Sequence, residues 1–475
     1  MKPAPSKTER PRFIQLRKGV LRSSLLAGVF AAAWPVLAGA EQTNFIQIPG
    51  PNPILMCGTP GAWDESVIEA CDVVKEASAY YFFYHGVPKD QERWGPGGYR
   101  IGLATAPHPL GPWTKFAGRP VLGLGTPGNW DDNHVACAMI VKEAPGKFIM
   151  WYSGYNARDA KWDVGLAFAS QLTGPWTKYE KNPILRDFGY VGGVVKRAGK
   201  YFLYTEHPID STAPDYGPIS VATAAQPEGP WTISKDNPAL PPSEKGAWDD
   251  GGCSEGKVFW RDGLFHLFYG GAKEYKPRMK TRESIGYASS RDGFHFTRHA
   301  ANPVAPREAQ PNAAAFSEVH TLLEPPFIYA FHTLRYLDPE QVPRAKGRTS
   351  VLEDLGVQVL VMQRSFQLPM PVFTLDSLPA GGVTELSDCP PICLRNASRI
   401  TLIAACDGAA ALRVHVLAST DGIVFDATDM MTFDCNGRKS VELKPRASFI
   451  KVRMENLDGK LSCRKIQVTA LLEGE

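Results

Sequence analysis

Between residues 45 and 370, short apolar runs alternate with polar, turn-rich stretches, and the runs return in a fixed order. One kind is aromatic: Tyr80-Tyr-Phe-Phe-Tyr, Phe148-Ile-Met-Trp-Tyr, Tyr201-Phe-Leu-Tyr, Phe265-His-Leu-Phe-Tyr and Phe327-Ile-Tyr-Ala-Phe. A second sets glycine among small apolar residues, as in Ile101-Gly-Leu-Ala-Thr, Val164-Gly-Leu-Ala-Phe-Ala and Ile285-Gly-Tyr-Ala-Ser. Runs of this length and content, bounded by Gly and Pro, predict strands. Two phrases punctuate them. Gly-Pro-Trp begins at Gly111, Gly174 and Gly229, with a degenerate Gly293-Phe-His-Phe. A proline phrase reads Asn52-Pro-Ile-Leu, Arg119-Pro-Val-Leu, Asn182-Pro-Ile-Leu, Asn237-Pro-Ala-Leu and Asn302-Pro-Val-Ala, at spacings of 67, 63, 55 and 65 residues. A unit of about sixty residues with several strands cannot bury its faces alone. Five copies therefore predict a five-bladed β-propeller over residues 41–370, with Val357-Gln-Val-Leu-Val-Met-Gln completing the fifth blade.

From about Pro371 the repeat stops. Arg399-Ile-Thr-Leu-Ile-Ala, Leu412-Arg-Val-His-Val-Leu, Phe449-Ile-Lys-Val-Arg-Met and Ile466-Gln-Val-Thr-Ala-Leu alternate with period two, broken by Asp-Gly at Asp407, Asp421 and Asp458. Residues 371–475 are thus expected to form an antiparallel β-sandwich, which makes the whole chain all-β.

The first forty residues read differently. Seven lysines and arginines between Lys2 and Arg22 precede an apolar run from Leu25 to Leu37 that ends at Ala38-Gly39-Ala40. This is the pattern of a signal peptide spanning residues 1–40, cut before Glu41, and it implies a secreted or periplasmic protein. Removing those seven basic residues and one acid turns the formal charge of +3 into about −3. No zinc-ligand spacing or basic stripe points to nucleic acid, and after cleavage no apolar run is long enough to span a membrane.

Export gives the nine cysteines a context in which disulfides form. Cys389, Cys393, Cys406, Cys435 and Cys463 crowd the last ninety residues and are expected to supply one or two bridges.

The inner strands of a propeller face a central tunnel, so acids near their starts are candidates for chemistry. Three units carry Trp-Asp there: Trp63-Asp64-Glu65, Trp130-Asp131-Asp132 and Trp248-Asp249-Asp250. The last continues to Glu255-Gly256, an acid that would project into a concave space and suit a general acid. Glycoside hydrolysis needs such an acid opposite a second carboxylate. Trp63, Trp130 and Trp248 would offer stacking faces for a sugar. Asp64, Asp131 and Asp132 are assigned to the site; Asp249 and Asp250 fit a loop staple equally well.

The blade order, the Gly-Pro-Trp phrases and Glu255-Gly256 before an aromatic strand resemble the five-bladed glycosidases, chiefly glycoside hydrolase family 43. Family 32 shares that fold, but its Arg-Asp-Pro and Glu-Cys phrases are absent. The resemblance implies an Asp base in the first blade, an Asp modulator in the third and a Glu acid in the fourth. Glu255 matches the acid. The first-blade position falls on Ala70, flanked by Glu69 and Cys71, so Glu69, Asp64 and Asp72 are the candidates for the base. The third-blade position is Tyr190, which a Tyr190–Glu206 pair would make an unusual nucleophile. Asp131, Asp132 and His134 form the polar set of the second blade, and His320 resembles a fifth-blade histidine facing the tunnel. No cofactor is required; a structural calcium in the tunnel is left open.

Two functions follow. The first is a secreted glycoside hydrolase acting on a poly- or oligosaccharide, inverting if the resemblance holds. The second is a non-catalytic carbohydrate-binding propeller, which the departures at Ala70 and Tyr190 favour. A glycoside phosphorylase would need a basic phosphate pocket that no Arg/His cluster suggests.

Overall fold

The computed structural model describes residues 44–88, 98–206, 216–274, 281–339, 342, 353–407, 411–425, 429–444 and 447–474, so the leader expected at 1–40 lies outside the described residues. They form an all-β, propeller-like chain with two single-turn 3-10 segments, Arg307–Ala309 and Leu386–Asp388. Among the described residues no helix is long and apolar enough to cross a membrane.

Strand β1 (Ile46–Pro49) precedes five antiparallel meanders. The first contains β2 (Val67–Glu76), β3 (Ala79–Val87), β4 (Arg100–Ala106) and β5 (Thr114–Lys115). The second contains β6 (His134–Ala144), β7 (Lys147–Asn156), β8 (Lys161–Ala169) and β9 (Thr177–Lys178). The third contains β10 (Tyr190–Arg197), β11 (Lys200–Glu206), β12 (Ile219–Ala224) and β13 (Thr232–Ile233). The fourth contains β14 (Gly252–Arg261), β15 (Leu264–Lys273), β16 (Arg282–Ser290) and β17 (Thr297–Arg298). The last has β18 (Ala313–Glu324), β19 (Phe327–Tyr336) and β20 (Glu353–Val361). The first strands β2, β6, β10, β14 and β18 pack in that order, and β18 returns to β2.

The fourth strand of the last meander is β1, antiparallel to β20 from Ile46↔Val361 to Pro49↔Gln358. The stretch beginning at Val357, expected to finish this unit, supplies its third strand instead. The edge is filled from the other end of the chain. Asn52-Pro-Ile-Leu accordingly belongs to the last meander, not the first.

The phrases act as local clamps. Asn182 accepts from the amide of Leu166 at 2.9 Å and donates to its carbonyl at 2.8 Å. Asn237 does the same with Val221, Asn302 with Tyr287 and Asn52 with Val357. Each asparagine thus caps both polar groups of one residue in the third strand of its meander, leaving neither unpaired. In Gly-Pro-Trp the indoles of Trp113, Trp176 and Trp231 donate to the carbonyls of Pro109, Leu172 and Pro227, four residues back.

The C-terminal segment forms two four-stranded sheets. One runs β21 (Phe366–Leu378), β28 (Cys463–Gly474), β23 (Arg399–Asp407), β26 (Arg438–Leu443); the other runs β22 (Ile392–Cys393), β27 (Phe449–Asn456), β24 (Leu412–Ser419), β25 (Asp429–Cys435). Alternation along β23 and β28 sends Ile400, Leu402, Ala404, Ile466, Val468 and Ala470 into a core shared with Phe82 and Phe331 of the meanders. Asn396 donates to the carbonyl of Gln47 at 2.7 Å, which ties this segment to β1.

The expected disulfides are absent. All nine cysteines are buried free thiols. Cys389 accepts from the Val452 amide at 3.2 Å and is 3.4 Å from the Pro390 carbonyl. Burial first, then the Cys406 side chain, raise the thiols of Cys435 and Cys463 above their ordinary range. These side chains fill the core rather than bridge it.

Candidate active site

Each inner strand is interrupted at the same level. The ladder shifts between Ala70 and Val73, Ala136 and Met139, Val191 and Gly193, Ser254 and Lys257, and Ser317 and His320. A bulge re-aims the residue it extrudes and breaks the two-residue alternation. The extruded residues include Cys71, Cys137, Glu255 and Glu318. Cys137 and Glu318 take φ of 53° and 47°, a left-handed backbone that only glycine adopts without strain.

These bulges surround a pocket of about 370 Å³, counted to its open mouth, lined by Glu69, His85, Tyr99, Ala136, Cys137, Trp162, Tyr190, Glu206, Glu255 and Glu318. A brace joins β2, β6 and β14. Lys257 pairs with the wholly buried Asp72, whose other oxygen accepts from the Ile140 amide at 3.0 Å.

Glu69 is held from two sides. Its Oε1 accepts from the Tyr99 hydroxyl at 2.8 Å, and its Oε2 lies 2.5 Å from His85 Nε2. His85 Nδ1 meets the Cys71 thiol and the Cys137 amide, each at 3.2 Å. Burial opposes a charge on this ring, while the Cys71 and Glu69 side chains favour one and raise its basicity. The Cys137 amide needs the Nδ1 lone pair, so a second proton there must displace it. Across from Glu69, the Cys137 thiol donates to Oε1 of Glu255 at 3.2 Å. Burial first, then Glu255, Cys71 and Glu69, push this thiol well above its ordinary range, so it stays a donor.

Of the sequence candidates, the pocket collects Glu255, Glu69, Tyr190 and Glu206. The Trp-Asp residues are drawn into structural work. Asp64 accepts from the Tyr84 hydroxyl at 2.9 Å and from Lys115 at 2.5 Å. Asp131 repeats this with Tyr152 at 3.0 Å and Lys178 at 2.6 Å, and Asp249 with Tyr269 at 2.9 Å and Arg298 at 2.7 Å. Each buried aspartate thereby ties its loop to the second and fourth strands of its own meander. Asp132 closes the same loop, accepting from the Gly128 amide at 2.6 Å and from Asn156 at 2.8 Å. Trp63, Trp130 and Trp248 lie against Tyr84, Tyr152 and Tyr269 and do not line the pocket. Their rings sit where a Cβ at Gly102, Gly165 or Gly286 would come within 2.6–2.8 Å, which explains the glycine in each third strand.

His134 stands behind the pocket wall. Its Nδ1 accepts from the Tyr99 amide at 3.0 Å, and its ring packs on Tyr99 and Trp162, so it positions two lining residues without lining the pocket itself. His320 is wholly buried, and burial, Lys257 and His85 hold its basicity well down. Calcium prefers clustered oxygen ligands. Among the described residues no group of three or more His, Cys, Asp or Glu side chains is arranged to hold a metal.

Sequence reasoning missed His85, Tyr99, Trp162, Cys137 and Glu318. The bulges defeat strand counting for the last two. His85 lies on the second strand, and Tyr99 lies just before the third.

No family model matches the chain, and no curated protein matches it. Solved structures do. One described as a glycoside hydrolase is 15% identical, over 66% of this chain and 92% of its own, with TM-score 0.49. Another comes from work on GH130 mannoside phosphorylases and glycoside hydrolases that target β-1,2 mannosidic linkages in Candida mannan (15% identity, 66% and 93% covered, TM-score 0.48). A thermostable family-43 glycoside hydrolase is 14% identical over 67% and 93%, with TM-score 0.44.

Proposed function

We propose that this chain is a glycoside hydrolase that cleaves a poly- or oligosaccharide with two carboxylates, Glu255 as acid and Glu69 as base toward water. The observation that carries the reading is the facing pair itself. Glu69 receives Tyr99 and His85, Glu255 receives Cys137, and both open on one pocket. Glu255 would give its proton to the departing glycosidic oxygen while Glu69 takes one from the attacking water. Tyr99, Trp162 and Tyr190 offer aromatic faces to the sugar ring. Inversion fits carboxyl groups about 6.5–9.5 Å apart. The meanders are read as five blades of a propeller at 41–370 and the last two sheets as a sandwich at 371–475. Residues 1–40 are read as a cleaved signal peptide of a secreted or periplasmic protein.

A panel of oligosaccharides tests the reading. Glu255→Gln and Glu69→Gln should each lower kcat by about 10²–10⁴-fold while glycan binding persists, and NMR of the first-formed anomer reads the stereochemistry. The second reading, a carbohydrate-binding propeller, draws on Ala70 and Tyr190 standing where the resemblance has carboxylates. Wild-type protein that binds glycan and hydrolyses none would decide for it.

A further inference from the structure

Cys137 touches Glu255 directly and reaches Glu69 through His85. Its amide meets His85, the partner of Glu69, and its thiol meets Glu255. Both contacts depend on the bulge in β6, where Cys137 adopts φ of 53°. A strained backbone at a non-glycine residue persists only where its surroundings hold it, and such strain gathers at functional sites.

We propose that Cys137 is a positioning residue for catalysis, its thiol hydrogen-bonding the carboxylate that Glu255 becomes as its proton passes to the leaving oxygen. The inference rests on the hydrolase reading. The proton moves from Glu255 to the glycosidic oxygen, the water proton moves to Glu69, and the thiol keeps its own hydrogen throughout. A donor aimed at developing charge favours the ionised product of the transfer. The groups facing this pair are Glu69 and Cys71 from β2, His85 from β3, Tyr190 and Glu206 from the third meander, and Glu318 from β18. The carboxylates among them oppose further negative charge, which is why a fixed donor on Glu255 matters.

Two measurements test this. In the first, pH–rate profiles are compared for wild type, Cys137→Ala and Cys137→Ser. The alanine variant should lose about tenfold in kcat/KM on glycosides with poor leaving groups and little on activated aryl glycosides. Its alkaline limb should move up by about one pH unit, and serine should restore most of both effects. Equal losses on all leaving groups with an unmoved limb would mean a packing role and overturn the proposal.

The second measurement needs no turnover. Alkylation of Cys137 by iodoacetamide is followed against pH by peptide mass spectrometry in wild type and Glu255→Gln. The profile should move to lower pH once the carboxylate charge is gone. An unmoved profile overturns the coupling whatever the enzyme hydrolyses. A moved profile in a protein that hydrolyses no glycan leaves the contact in place and overturns the catalytic role with the hydrolase reading.

Discussion

The hydroxyl of Tyr99 stands 2.8 Å from Oε1 of Glu69, so a residue just ahead of β4 fixes a carboxylate on β2. A donor on a carboxylate favours its ionised form. Tyr99→Phe should therefore lower kcat/KM by about tenfold and shift the acidic limb of the pH–rate profile upward. An unchanged limb would remove Tyr99 from the set that tunes Glu69.

Asp131 sits between Tyr152 and Lys178 and away from the pocket. Asp131→Asn should cost about 1–3 kcal/mol of stability, since a buried acceptor loses its charge-assisted partners. Activity per folded molecule should stay within about twofold. A hundredfold loss with an unchanged melting curve would return Asp131 to the site.

Gly256 follows the acid for a steric reason. A Cβ there would come 2.2 Å from the Phe268 carbonyl and 2.9 Å from the Tyr269 Cα, neither of which can move alone. Gly256→Ala must push β14 off its bulge and carry Glu255 with it. Displacing a catalytic group by about 1 Å costs on the order of 10²-fold, so kcat should fall at least that far. Thermal melting would separate this from simple unfolding.

His332 gives a pH signature for folding. It is wholly buried; Nδ1 faces the Thr333 carbonyl at 3.0 Å, and Gln358 approaches Nε2 at 3.3 Å. Burial, partly offset by the Thr333 carbonyl, lowers it from 6.5 to about 3. Between those values the unfolded chain takes up a proton that the folded one refuses, so stability falls as pH drops through the window. The loss at pH 4 is about 3 kcal/mol from this group. His332→Asn should flatten the slope of melting temperature against pH from 6.5 to 4, and an unaltered slope would refute the assignment.

The legible part of this molecule was local. Gly-Pro-Trp and, apart from Asn52, Asn-Pro act within about sixteen residues of themselves, so their recurrence reported the meanders directly. The Trp-Asp residues recur just as clearly, but Asp64 takes its role from Tyr84 and Lys115, which no spacing rule connects to it. The site was half legible for a further reason. Glu255 could be counted from its aromatic strand and Glu69 lay one residue from the counted Ala70, whereas Cys137 and Glu318 owe their direction to a left-handed residue that period-two counting does not contain.

The pairing of Ile46–Pro49 with Gln358–Val361 sets the order in which the molecule can be completed. Its first strand is translated some three hundred residues before its partner, so during synthesis it waits with open hydrogen-bonding edges. Closing so long a loop contributes to slow folding, because the entropy is lost before the contacts form. Completing the last meander therefore waits for Gln358–Val361, and a polypeptide truncated before Gln358 would leave β1 without its partner.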